Sequence, residues 1–325
     1  MRWIFIQGDL MGYIQRLKYS IRLKHLSTVT LKWLSEHSEH FRVGASGTSG
    51  SKAALTQIKP LTELMLLLGV LAKHEIRNEH VSRLSGHVIG EANEFDWHRH
   101  FSLDASGATI LGTVAEFFAA NNVEPPFELD FCRFLHTSGY LEGMDRVPYR
   151  EMDRVHCLAG LISPEYANEL QMWFSGTAFG RRQHPTRYTI DDLYSLTHAA
   201  FYLSNFGTRD VAEVLDGETT ERLRKELVEL TAVVMRSDNI DVLGEFLVCW
   251  MFCGVPDTEL NRILFRQAFE RVVAATLPSG ETVAALRALP RAQAGQTTFN
   301  DSYHTTLVSA MLFSLTAKET PAYAA

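Results

Sequence analysis

Residues 191–207, DDLYSLTHAAFYLSNFG, decide how this chain is read. Apolar side chains recur at helical spacing, an acidic pair opens the run and Asn-Phe-Gly closes it, so the stretch reads as a helix that is apolar almost all round. Such a helix belongs inside a protein. His198 sits in its middle, where an ionisable group needs a partner or water.

Working outward, five more segments have the same character: PLTELMLLLGVLA (60–72), ATILGTVAEFFAA (108–120), EMDRVHCLAGLI (151–162), IDVLGEFLVCWMFCG (240–254) and DSYHTTLVSAMLFSL (301–315). They recur about every 40 to 60 residues, a repeat spacing. Amphipathic segments fall between them at 78–93, 125–141, 164–176, 218–236 and 257–276, and no stretch alternates as a strand would. The pattern predicts an all-α fold, an α/α toroid of about six inner and five or six outer helices with an extra N-terminal helix. An open helical solenoid is the alternative, because closure is not written in a repeat. Residues 1–25 read as an N-terminal extension, 26–50 as a helix (26–41) followed by the Gly/Ser linker GASGTSGSK, and 51–320 as one helical-hairpin domain.

Over residues 55–316 this alternation resembles the α/α-toroid superfamily of second-class terpene cyclases, protein prenyltransferase β-subunits and lanthionine cyclases. The motifs of those enzymes are not matched. TIDD at 189–192 lacks the first acid of D-x-D-D, and HCLAG at 156–160 reverses the C-H-G order of the lanthionine cyclases. The resemblance therefore implies an architecture and not a chemistry.

Aligning the inner helices by LSNFG and WMFCG places His198 opposite Glu245, and matching the apolar runs adds Glu63, His156, His304 and Thr109. A closed ring would gather Glu63, His156, His198, Glu245 and His304 into a polar collar near the N-terminal ends of the inner helices. Tyr194 and Tyr303 stand beside the collar histidines as hydroxyl donors. Long connections also fall at this mouth, bringing His98 and His100 of DWHRH, Arg181, Arg182, His184, and a segment at 278–298 long enough to act as a lid. His98, His100, Arg181, Arg182 and Glu63 are the candidate substrate contacts, with Trp250 as the inner-helix aromatic that lines the pocket.

These residues fit a cofactor-independent cyclase, isomerase or lyase acting on a mostly apolar small molecule or peptide. His198 is then the principal acid/base, supported by His156, Glu245, His304, Tyr194 and Tyr303. A second reading takes a divalent metal on His156, His198 and Glu245. A third is a non-catalytic helical-repeat binding protein. No Walker loop or dinucleotide fingerprint is present, which argues against ATP- or NAD-driven chemistry.

The net charge of −7 disfavours nucleic acid as a partner, since a duplex binder needs concentrated cationic surface. Four scattered cysteines suit reduced thiols in a cytoplasm, with Cys249 and Cys253 on one helical face. No apolar run has the length of a membrane span, and a homo-oligomer is compatible with the chain.

Overall fold

The computed structural model describes residues 2–43, 52–103, 107–139, 141, 143–181 and 183–323. The fold is all-α, with fourteen α-helices and no strand among the described residues beyond an isolated bridge between Thr276 and Thr282. Six of the helices coincide with the apolar segments: α2 (Lys52–Lys73), α5 (Ile110–Ala120), α7 (Pro148–Leu161), α9 (Ile190–Leu203), α11 (Ile240–Phe252) and α14 (Phe299–Tyr323). Each packs on the next, and α14 packs back on α2, so these six form a closed cycle of neighbours.

Around that cycle lie α1 (Arg2–Glu36) against α14 and α3 (Glu79–Glu94), α3 against α2, α8 (Leu170–Gly176) against α7, and α10 (Gly217–Val234) and α12 (Glu259–Ala274) against α11. The contrast between α10 and α11 shows why. In α10 the buried residues follow one stripe, Leu223, Leu227, Leu230 and Val234, whereas in α11 every residue except Met251 is buried. A helix with one apolar stripe can face water on its other side. Each fully buried Leu or Phe in these faces stabilises the fold by roughly 1.5–3 kcal/mol.

Close approach within the cycle depends on two glycines. A Cβ at Gly112 of α5 would stand 2.8 Å from the Cys157 Sγ of α7, and one at Gly244 of α11 would stand 2.8 Å from Val308 Cγ1 of α14. Side-chain caps fix where the helices start. Asn239 accepts from the Val242 N–H, Asp216 from Thr219 and Thr258 from Asn261. TIDD is of this kind, a capping box in which Thr189 and Asp192 hold each other's backbone N–H.

Two expectations about boundaries change. α1 runs unbroken from Arg2, so the first helix begins far before residue 26 and is tied to α12 by a paired Arg22–Glu270 bridge at 2.7 Å. DWHRH is not a loop, because Trp97–Leu103 forms the short helix α4. No helix among the described residues is long and apolar enough to cross a membrane.

Candidate metal centre at the N-terminal mouth

At the start of α14, His304 is surrounded by carboxylates from two other helices. Its Nδ1 lies 3.4 Å from Glu63 Oε1 of α2, and its Nε2 lies 3.5 Å from both Asp241 Oδ2 and Glu245 Oε1 of α11. Asp241 and Glu245 share a face of α11 because they are four residues apart. Both Asp241 oxygens, and the Glu245 oxygen turned away from His304, are held from neighbouring helices. Tyr194 donates to Asp241 Oδ2 at 2.7 Å, Thr305 to Asp241 Oδ1 at 2.8 Å, and Thr197 to Glu245 Oε2 at 2.5 Å.

The electrostatics are unbalanced. Asp241 and Glu245 side chains are only 8% and 4% exposed, while His304 is 37% exposed, so the imidazole is the open side of the cluster. Burial pushes the Asp241 carboxyl up, and Glu245 beside it adds to the rise. Against the cost of burial, His304 and His198 hold Glu245 below its ordinary value. Burial works against a charged His304, yet Asp241, Glu245 and Glu63 together lift it well above the ordinary histidine range. The other cation in contact with the three carboxyls is Lys59, an exposed side chain 3.6 Å from Glu63.

The 3.5 Å separations are informative. They exceed the 2.7–3.2 Å of good N–H···O hydrogen bonds. Two ligand atoms bound at about 2.1 Å to one ion with a tetrahedral angle stand about 3.4 Å apart. One ligand atom from each of Asp241, Glu245 and His304 lies within 4.8 Å of the others, and this is the one such group of three found among the described residues. Glu63 Oε1, 3.4 Å from Nδ1, stands on the side of the imidazole where a metal-bound histidine usually meets an outer carboxylate. The cluster opens into a cavity of about 500 Å³ whose walls include Tyr194, Asp241, His304 and Thr305.

Of the expected collar, Glu63, Glu245 and His304 meet here, joined by Tyr194 at Asp241 and by Tyr303, whose ring centroid lies 6.3 Å from that of His304. His198 lies near enough for Glu245 and His304 to act on its charge, but burial dominates and lowers its pKa. His156 belongs elsewhere. Its Nε2 pairs with Glu116 Oε1 at 3.3 Å, and Lys73 at the end of α2 donates to Glu116 Oε2 at 2.8 Å. The slot beside Thr109 is filled by Asp153, which accepts its hydroxyl at 3.0 Å. α7 thus sits one turn out of the expected register, and His156, His198 and Glu245 do not converge as a metal set.

Other candidates fall away from the cluster. Trp250 is 1% exposed and donates to Thr231 of α10 at 2.8 Å, so it faces α10 and not the His304 cluster. On α4, His98 stacks on Phe131 at 4.1 Å and His100 is buried against Phe95 and Phe101. Arg181 bonds the Thr177 carbonyl, His184 caps the turn Pro185–Arg187, and Arg182 lies outside the described residues. The segment at 278–298 is pinned and not poised as a lid. Asp238 accepts from the Leu286 and Arg287 N–H groups, Ile240 donates to Ala284, and α13 (Leu289–Gln293) lies within the segment. The cysteines are free and buried, with Cys132 pushed up to about 11 and Cys253 to about 12 by burial, so none is an activated thiol.

Sequence reasoning passed over Asp241, Thr197, Thr305, Lys73 and Glu116. Asp241 carried a usable signal, an acid one helical turn before Glu245, but a helix-start Asp reads first as a cap. Nothing in sequence spacing links Lys73 to Glu116.

The fold and this cluster define an all-helical protein whose six apolar helices form a closed cycle with carboxylates around one histidine at one end. The chain belongs to the family described as a domain of unknown function, DUF6895, whose model matches residues 27–313. No curated protein and no solved structure matches it.

Proposed function

We propose that this protein is a divalent-cation-dependent enzyme of the lyase or isomerase type, working at the N-terminal mouth of an α/α ring. The observation that carries the reading is the placement of Asp241 and Glu245 at metal-ligand spacing from His304 Nε2, with Glu63 behind the imidazole. Closed contacts among the six apolar helices support the toroidal arrangement. Oxygen-rich donor sets with one imidazole suit ions such as Mn²⁺ or Zn²⁺. A bound ion would polarise a carbonyl or hydroxyl of the substrate.

The chain's own groups handle the proton. His198, unprotonated because burial lowers its pKa, is the candidate proton acceptor beside the cluster. The Tyr194 hydroxyl, which also lines the cavity, is donated to Asp241 and so orients that carboxylate. Four free cysteines fit a reducing compartment such as the cytoplasm.

Calorimetric titration with MnCl₂ and ZnCl₂ tests the reading. Saturable binding of one ion per chain, lost in His304→Ala and kept in His156→Ala, is the expected result. Absence of binding by wild type overturns it.

A further inference from the structure

We infer that the cavity beside this cluster takes a small, uncharged, hydroxyl-rich molecule, a polyol or sugar-like ligand, in place of an apolar or anionic one. The inference deepens the proposed function by naming the ligand class of the same site. At about 500 Å³ the cavity has the size of small-molecule sites, which span roughly 300–1,000 Å³.

Its chemistry is unusual for such a site. Only Ala284 and Ala285 among its lining residues are wholly apolar. An apolar ligand would strip water from Asn239 and Asn300 without replacing their hydrogen bonds, which costs free energy for each group. Ser302 shows the deficit already, being 1% exposed with its Oγ lacking a hydrogen-bond partner. A ligand hydroxyl both donates and accepts, which is what a serine hydroxyl and side-chain amides require.

Charge excludes the anion. Asp238, Asp241 and Asp301 line the cavity against Arg287 and His304, and Arg287 already lies 3.3 Å from Asp238. Asp238 and Asp301 are also engaged within the protein, and Asp241 is given to the proposed ion, which leaves an organic amine little to pair with. Asp238 holds the N–H groups of Leu286 and Arg287, Asp301 holds Thr298, and Asp241 accepts from Tyr194 and Thr305. Hydroxyl and amide side chains therefore supply the recognition.

Saturation-transfer NMR on the purified full chain tests this, using myo-inositol, D-xylose and D-glucose as neutral polyols, putrescine as an amine, and hexanoate as an apolar anion. Each is measured with ZnCl₂ and again with EDTA. The expected result is transfer to at least one polyol and to neither putrescine nor hexanoate. Ser302→Ala, which removes a single hydroxyl, should weaken that polyol about fivefold to tenfold, and Asn300→Ala should do the same. Transfer to putrescine or hexanoate alone, transfer to no probe, or polyol affinity unchanged in both variants overturns the inference. Polyol binding that persists in EDTA in a chain that binds no metal upholds the ligand class while the metal reading fails. Metal binding without any polyol signal does the reverse.

Discussion

Two clusters among these six helices use the same residue types to opposite ends. At the C-terminal ends of α2, α5 and α7, Glu116 sits between Lys73 at 2.8 Å and His156 at 3.3 Å, and the two partners outweigh its burial to hold it at about 2. At the N-terminal ends, three carboxylates face one histidine at 3.4–3.5 Å, and among the described residues no buried lysine or arginine forms an ion pair with them. The first is a completed ion pair. The second has more acceptors than donors and opens to a cavity. Buried charge that is left unmatched beside open space is better explained by a ligand than by stability, because unmatched buried charge destabilises a fold.

The largest effect that would sharpen this contrast comes from His304→Ala, which should lower Mn²⁺ affinity more than about 100-fold and abolish ion-induced stabilisation in thermal melts. Removing bound ion with EDTA should then lower the melting temperature of wild type and leave that of the variant unchanged.

Next in size is Glu116→Gln at the other cluster. Its folded pKa of about 2 lies below the ordinary 4.5, so its stabilisation is full above that ordinary value and is lost as pH falls toward 2. Urea melts should show the variant about 2 to 3 kcal/mol less stable at neutral pH, with the gap closing in acid. An equal deficit at all pH values would break the account of that pair.

Smaller again, Glu63→Gln should weaken metal about 10- to 100-fold without removing it, as expected of a carboxylate that orients a ligand. Arg181→Ala, on an exposed loop away from both clusters, should change stability by under about 0.5 kcal/mol and metal affinity not at all.

Much of the fold was legible because apolar periodicity survives wherever a helix is buried. The apolar run at 240–254 became α11, and its almost complete burial follows from that composition. Closure was not legible, since the contact of α14 with α2 joins segments far apart in the chain. The candidate site was half legible. Glu63, Glu245 and His304 were found as ionisable groups at one level of apolar helices. His156 was misplaced because α7 begins a turn earlier, at Pro148, than its apolar run suggests. Trp250 was misread because a helix buried all round gives no sign of which face meets the His304 cluster and which meets α10.

The central claim is that His304, and neither His156 nor His198, is the histidine ligand. Pulsed electron paramagnetic resonance of the Mn²⁺-loaded protein reads it directly through the nitrogen coupling of a bound imidazole. The account predicts coupling to one histidine in wild type, retained in His156→Gln and His198→Gln and lost in His304→Gln. Coupling that survives His304→Gln, or that vanishes in His156→Gln or His198→Gln, would contradict it.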